Sequence, residues 1–112
     1  MAETSRKQPI SLVTPVYNEV ENLRDLQAAV TAALDPHDIA FECILVNDGS
    51  TDGSTQLLDE IHLDDPRFVV IHFIRNYGQT AAMDAGIKHA SHEIIVSMDA
   101  DLQNDPADIP KL

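Results

Sequence analysis

Cysteine is almost absent from this chain, which carries one thiol, Cys43, among its 112 residues. A single cysteine cannot form an internal disulfide, so no such bond holds this fold together. Cys43 lies inside the apolar run FECILV, where a buried and unreactive thiol is expected. The cysteine content therefore fits a protein of the cytosol.

Basic residues are also scarce, with 7 Lys and Arg against 19 Asp and Glu and a formal net charge of −12. Binding to a phosphate backbone needs a surplus of Lys and Arg, so the sequence predicts no nucleic-acid partner. No apolar run approaches the roughly 20 residues that span a bilayer, and the opening MAETSRKQP has no apolar signal core. We expect a cytoplasmic location or, in a full-length protein, the cytoplasmic face of a membrane.

Glycine-rich phosphate loops are missing as well, since the chain has only four glycines. It contains neither G-x-G-x-x-G nor G-x-x-x-x-G-K-[ST], the two common phosphate-binding patterns. These absences exclude dinucleotide oxidoreductases and P-loop kinases. Any phosphate that this chain binds must be held in another way.

Four short apolar runs alternate with segments of helical periodicity. The runs at residues 10–17, 41–47, 68–74 and 93–98 predict four buried strands. Strands and helices that alternate in this way form right-handed βαβ units, so we predict a doubly wound, mostly parallel α/β sheet in the order 3-2-1-4, with helices on both faces. The length allows one domain at residues 10–112, after a disordered tail at residues 1–9.

Two of the predicted helices have recognisable signals. The first should begin after Asn18, with Glu21 completing a capping box. The third has a ridge of small residues every four positions, at Gly78, Ala82, Gly86 and Ala90. Such a ridge lets a helix approach its neighbour closely, and that neighbour is either the sheet or a ligand. Gly78 is therefore a candidate ligand contact.

Polar, turn-forming segments follow all four predicted strands: TPVYNE, NDGSTD, RNYGQ and DADLQND. Ligands of a doubly wound sheet bind beyond the carboxyl ends of its strands, so these segments should surround one site. Tyr17 is not needed as a cap, and its ring suits stacking on a base. An Asx turn alone suffices to explain Asp48, and capping of a helix that begins at Pro106 explains Asp105.

The segment SMDADLQNDP places oxygen ligands at every second position. In an extended backbone Asp99 and Asp101 project to the same side, and Gln103 follows them. Two carboxylates and an amide oxygen suit Mg²⁺ or Mn²⁺, with waters and a substrate diphosphate completing the shell. Two like charges at the mouth of a buried strand repel each other unless a cation is present. The sequence therefore predicts a divalent metal site here.

Four motifs, PVYNE, VNDGSTDGS, RNYGQTAAMDAG and MDADLQNDP, together resemble those of a known family in order and approximate spacing. From about residue 10 to residue 112, the chain resembles the nucleotide-binding half of family-two inverting glycosyltransferases with the GT-A fold. Within that family, it is most similar to the branch that passes a sugar to a polyprenyl phosphate, typified by dolichol-phosphate mannosyltransferase.

The resemblance implies roles for individual residues. Pro15, Tyr17 and Glu19 would contact the nucleoside, and Asp48 would contact the base. The two aspartates of MDADLQ would be catalytic as a DxD-type metal site, with the glutamine as a further ligand. Asn47 stands where many relatives carry a second aspartate.

The resemblance also implies a reaction and its partners. A metal held by Asp99 and Asp101 would offset the charge that builds on a departing nucleoside diphosphate. The donor would be a nucleotide-diphosphate sugar, and the acceptor a polyprenyl phosphate or a sugar. A polyprenyl phosphate is already ionised near neutral pH and needs little help from a general base, whereas a sugar hydroxyl would need one.

Two other functions remain open from the sequence. Nucleotidyl transfer to a sugar phosphate also uses such a sheet, but its glycine-rich basic loop is missing from TPVYNEVEN. A non-catalytic nucleotide-binding or assembly module is the second. The last predicted helix has barely two turns, so we expect the amino-terminal part of a longer protein, possessing the donor site but not the acceptor site. Membrane association would then depend on other parts of that protein, and a homo-oligomer is compatible with this reading.

Overall fold

The computed structural model describes residues 8–101 and 105–111. The main elements, in chain order, are β1 (Ile10–Val16), α1 (Leu23–Leu34), β2 (Phe41–Asn47), α2 (Ser54–Asp64), β3 (Phe68–His72), α3 (Gln79–His89) and β4 (Ile94–Ser97). Short 3-10 segments lie at Asp35–His37 and Pro106–Lys111. The predicted tail falls mostly outside the described residues.

The four strands form one parallel sheet in the order β3-β2-β1-β4, so the predicted topology is confirmed. β2 and β3 are added on one side of β1, and β4 is added on the other. The register is continuous across the centre, where Val13 of β1 is opposite both Ile44 of β2 and Ser97 of β4. The strand order therefore reverses between β1 and β4, which is where such sheets bind ligands.

The larger part of the core lies on the face covered by α1 and α2. Its buried members include Leu12, Val16, Cys43, Leu45 and Phe68 from the strands and Leu26, Val30, Leu58 and Ile61 from the helices. Burial of each large apolar side chain contributes about 1.5–3 kcal/mol. Burial also raises the pKa of the Cys43 thiol to about 12, and the prediction that this cysteine is buried is confirmed.

The opposite face is covered by α3, and here the ridge of small residues contacts the sheet. Ala82 is fully buried against this face. A Cβ added at Gly86 would overlap Cγ1 of Val13 and lie 3.2 Å from Cγ2 of Val46. Gly86 is therefore required for the close approach of α3. The sequence left open whether the ridge packs against the sheet or a ligand, and this part of the ridge packs against the sheet.

The predicted start of α1 is wrong. The helix begins at Leu23 with Asn22 at its N-cap, and Glu21 lies in the preceding turn. Asn18 adopts a left-handed φ of 54°, and its side-chain oxygen accepts the Thr51 N–H at 2.7 Å. A partner from the second loop has replaced the local capping box.

The prediction that the fourth strand is buried is also wrong. Ile94 and Ile95 of β4 remain 43% and 39% exposed, because β4 lies at the edge of the sheet and, within the described residues, pairs with β1 alone. The predicted cap after it is confirmed: Oδ1 of Asp105 accepts the Ala107 N–H at 2.9 Å at the start of the 3-10 helix. In the described ranges, no helix combines the length and apolarity needed to cross a bilayer.

Candidate functional site

A cleft of about 360 Å³ opens at the carboxyl ends of β1, β2 and β4. The residues that line it are Pro15, Val16, Tyr17, Glu19, Asp48, Gln79, Asp99, Ala100 and Asp101. Six of them were singled out from the sequence as nucleotide or metal contacts. Parallel pairing brings these segments together, because it places every strand's carboxyl end at the same edge of the sheet.

The nucleoside candidates come from the end of β1 and the loop that follows it. Pro15 lies within β1, and the ring of Tyr17 is 48% exposed directly after the strand. Glu19 is half-buried, and its Oε1 accepts a hydrogen bond of 2.8 Å from the Asn22 side chain. The segment thus presents an aromatic face and a fixed carboxylate to the cleft.

Asp48 is almost completely buried at the base of the cleft, with an exposed fraction of 3%. Its Oδ1 accepts the Tyr77 N–H at 2.7 Å, and its Oδ2 accepts the Gly78 N–H at 3.0 Å and the Asn76 side-chain amide at 3.2 Å. The carboxylate therefore holds the loop after β3 in place. Since each oxygen has two lone pairs, Oδ1 retains acceptor capacity.

Asn47, the neighbouring residue, is buried and is not among the residues that line the cleft. Its side-chain nitrogen donates to Oγ1 of Thr55 at 2.8 Å and approaches Nδ1 of His72 at 2.9 Å, while its oxygen accepts the Ser50 N–H at 3.1 Å. Two donors and an acceptor suit an amide better than a carboxylate. Of positions 47 and 48, only Asp48 lines the cleft.

Asp99 and Asp101 lie in the segment after β4, and both line the cleft. Asp99 is half-buried and Asp101 is exposed. The part of the chain that the structure describes contains no group of three or more His, Cys, Asp or Glu that could hold a metal ion. Mg²⁺ commonly binds through one or two carboxylates together with substrate phosphates, so this pair of oxygen donors fits such an ion. Gln103, the third predicted ligand, lies outside the described residues.

Gly78 is a predicted ligand contact that does not line the cleft, whereas its neighbour Gln79 does. Gly78 has a φ of 103° and donates its amide to Asp48, while Gln79, the first residue of α3, lines the cleft. Sequence reasoning missed Gln79, although the segment RNYGQ was recognised as one of the four polar strand ends. Its place at the first position of a helix that follows a strand end was the available signal.

Comparisons with known proteins show the family to which this chain belongs. The model of the family "Glycosyl transferase family 2" matches residues 11–112, so the chain belongs to that family. The undecaprenyl-phosphate 4-deoxy-4-formamido-L-arabinose transferase of Aeromonas hydrophila is 45% identical over 104 residues, which are 92% of this chain and 32% of that protein. The transferase of the same name from Salmonella dublin is 42% identical over 113 residues, covering 100% of this chain and 35% of that protein.

A solved structure is similar in fold. A mannosyltransferase of Pyrobaculum calidifontis, in complex with GDP-Man and Mn²⁺, aligns with a TM-score of 0.72 and 22% identity over 86% of this chain and 28% of that one. At this identity the likeness shows the fold alone, which is that of the GT-A glycosyltransferases. The chain spans about a third of the length of the curated relatives that it matches.

Proposed function

We propose that this chain forms the donor-binding part of a glycosyltransferase, which transfers a sugar from a nucleoside diphosphate to a polyprenyl phosphate with the help of Mg²⁺ or Mn²⁺. The observation that carries the proposal is that Asp99 and Asp101, after β4, line the same cleft as Tyr17 and Asp48, after β1 and β2. A nucleoside site and a diphosphate-metal site therefore adjoin each other.

Different residues of the cleft would contact different parts of the donor. Tyr17 offers a ring for stacking on the base, and Oδ1 of Asp48 accepts an N–H from the base edge. Asp99 and Asp101 hold the divalent ion, and Gln103 is a further ligand by resemblance. That ion, when bound, offsets the negative charge that develops on the leaving diphosphate.

The acceptor that we favour is undecaprenyl phosphate, because both relatives described above are undecaprenyl-phosphate transferases. An oxygen of its phosphate would attack the anomeric carbon, the bond to the diphosphate oxygen would break, and the electron pair would leave with the nucleoside diphosphate. One displacement inverts the configuration at that carbon. Because the acceptor phosphate is already ionised, no general base is required from this chain. A lipid acceptor implies that the full-length protein acts at a membrane surface, for which we propose the cytoplasmic face.

Binding and transfer assays on the full-length protein test this proposal. In calorimetry, we expect UDP or GDP to bind more tightly in the presence of Mn²⁺ than in the presence of a chelator. We also expect a nucleotide sugar to release its nucleoside diphosphate only when undecaprenyl phosphate is added. Equal affinity with and without metal would contradict the metal site. Release of pyrophosphate from a nucleoside triphosphate and a sugar phosphate would indicate nucleotidyl transfer instead, and nucleotide binding without any turnover would indicate a binding module.

A further inference from the structure

The loop that carries Tyr17 and Glu19 into the cleft has no regular structure of its own. β1 ends at Val16 and α1 begins at Leu23, and Asn18 between them has a φ of 54°. A left-handed conformation is uncommon for a residue with a side chain and persists when surrounding contacts support it. The support for this loop therefore has to come from elsewhere in the chain.

Three successive amides of this loop donate to side chains of the segment at residues 50–54, which follows β2. The Asn18 N–H donates to Oγ of Ser50 at 3.0 Å, and the Glu19 N–H donates to Oγ of Ser54 at 3.1 Å. The Val20 N–H donates to Oδ2 of Asp52 at 3.2 Å. The segment thus supplies the acceptors that a strand or helix would otherwise have given these amides.

Asp52 joins two of these contacts. Its Oδ1 accepts both the N–H of Ser54, at 3.0 Å, and the hydroxyl of Ser54, at 2.6 Å. A serine hydroxyl has one hydrogen, so donation to Asp52 turns its lone pairs toward the Glu19 N–H. Burial raises the pKa of Asp52, but the hydrogen bonds from Ser54 and Val20 outweigh this effect and lower it below its ordinary value, so the carboxylate is ionised at neutral pH.

We infer that Asp52 is a positioning residue for donor binding, which fixes the backbone that presents Tyr17 and Glu19 to the nucleoside through the Val20 amide and the Ser54 hydroxyl. Asp52 is not among the residues that line the cleft. The inference rests on the proposed function, because a donor must occupy the cleft for this positioning to matter. It gives the segment GSTDGS a role distinct from that of Asp48.

The test is Asp52→Asn in the full-length protein, with Asp25→Asn as a matched control. Asparagine keeps the size of the side chain but has one acceptor oxygen, so either the Val20 amide or the Ser54 hydroxyl loses its partner. Asp25 is exposed on the first turn of α1, and its substitution makes the same change of charge. Calorimetry with UDP and GDP in Mn²⁺ and steady-state transfer rates are measured on both variants.

We expect Asp52→Asn to raise the Kd of the nucleotide and the KM of the donor about tenfold, with kcat changed less than twofold and Asp25→Asn unchanged. A fall in kcat with the KM of the donor unchanged, or wild-type affinity in Asp52→Asn, would overturn the inference while leaving the proposed function intact. Failure of the wild-type protein to bind either nucleotide would overturn both. If Asp52→Asn does not fold, Ser54→Ala removes the hydroxyl that links Asp52 to the Glu19 amide and is judged by the same readouts.

Discussion

The parallel strands all begin along one side of the sheet, the amino edge, and all end along the opposite side, the carboxyl edge. Polar residues at these two edges serve different purposes. At the amino edge, the carboxylate of Glu42 accepts hydrogen bonds from the Ser11 hydroxyl at 2.6 Å and from the Ser91 N–H, and the His92 N–H donates to Ser11 at 3.2 Å. These contacts tie the starts of β1 and β2 to the connection between α3 and β4. The polar groups of this edge are therefore committed to the fold.

At the carboxyl edge, the polar residues divide into two groups. Asp48 and Asp52 bind backbone amides of neighbouring loops, as Glu42 does. Asp99 and Asp101 line the cleft together with Tyr17, and so does Asp48. The comparison shows that a carboxylate near a strand end can serve the fold alone, as Glu42 and Asp52 do, or the fold and the cleft together, as Asp48 does. It also predicts that variants at the amino edge change stability, and that variants of the cleft aspartates change activity.

The largest effect is expected from Asp101→Asn in the full-length protein. This change removes a proposed charged metal ligand, and the loss of one such electrostatic contact costs about 10²- to 10³-fold in rate. Stability should be unchanged or slightly higher, because one of two neighbouring negative charges is removed. Initial transfer rates at saturating Mn²⁺ and a melting curve of the metal-free protein measure the two quantities. A rate within twofold of wild type, or loss of the fold, would show that Asp101 is structural.

The next largest effect is expected from Gly49→Ala, at the place where the loop after β2 meets the loop after β3. Gly49 has a φ of 72°, and an added Cβ would overlap the backbone of Arg75 and Asn76. Left-handed strain and overpacking together should lower the free energy of unfolding by about 2–3 kcal/mol, as measured by urea titration. Gly53→Ala is the control, since its φ is 99° but its Cβ would meet one side-chain carbon at 3.8 Å. Equal losses in both variants would mean that strain alone matters.

A smaller change in stability is expected from Glu42→Gln at the amino edge. Partial burial raises the pKa of Glu42, but hydrogen bonds from Ser11 and Ser91 outweigh it and hold this pKa below its ordinary value. The folded state therefore binds this proton less readily than the unfolded state. The stabilisation is complete above about pH 4.3, the ordinary pKa of a glutamate, and is lost as the pH falls through the folded pKa.

Glu42→Gln should therefore cost about 1 kcal/mol at neutral pH and less in acid. Melting temperatures of the two proteins from pH 7 to pH 3 measure the difference, and transfer rates at neutral pH should stay within twofold of wild type. A difference that grows on acidification would reverse the sign and show that the carboxylate is not the stabilising form.

The smallest effect is expected at Cys43, in the centre of the sheet between the two edges. Because burial raises the pKa of this thiol to about 12, it should react with a disulfide reagent at pH 8 only when the chain opens. Glu42→Gln should accelerate the reaction about fivefold, which corresponds to the loss of about 1 kcal/mol. Asp101→Asn should leave it unaltered. Rapid labelling of the native wild-type protein would contradict the burial of Cys43.

The arrangement of the sheet could be predicted from the sequence because it depends on local patterns and on a general rule. The apolar runs mark the strands, and the handedness of the crossovers restricts their order. The cleft residues followed, since Tyr17 and Asp48 come directly after strands and Asp101 lies four residues after the end of β4. Their convergence needs no more information than parallel pairing.

The predictions failed where the structure of a segment depends on residues far away in the chain. Asn18 and Glu21 satisfy the signature of a capping box, but Thr51 and Ser50 lie 33 and 32 positions away and bond to Asn18 instead. The amides that surround Asp48 lie 29 and 30 positions away, so no local pattern reveals them. The exposure of β4 depends on its place at the sheet edge, which the apolarity of IIV does not report.

The glycine at position 86 has a consequence for how this cleft can be altered. Because α3 has no side chain at Gly86, its backbone packs closely against the Val13 side chain, and a shift of the helix toward the sheet would make the two collide. Its first residue, Gln79, lies seven residues away, about 10 Å along the helix axis, and lines the cleft. The position of Gln79 in the cleft is therefore set by a contact in the core, between Gly86 and Val13. Engineering a wider cleft would begin at Gly86 and Val13, which do not line the cleft.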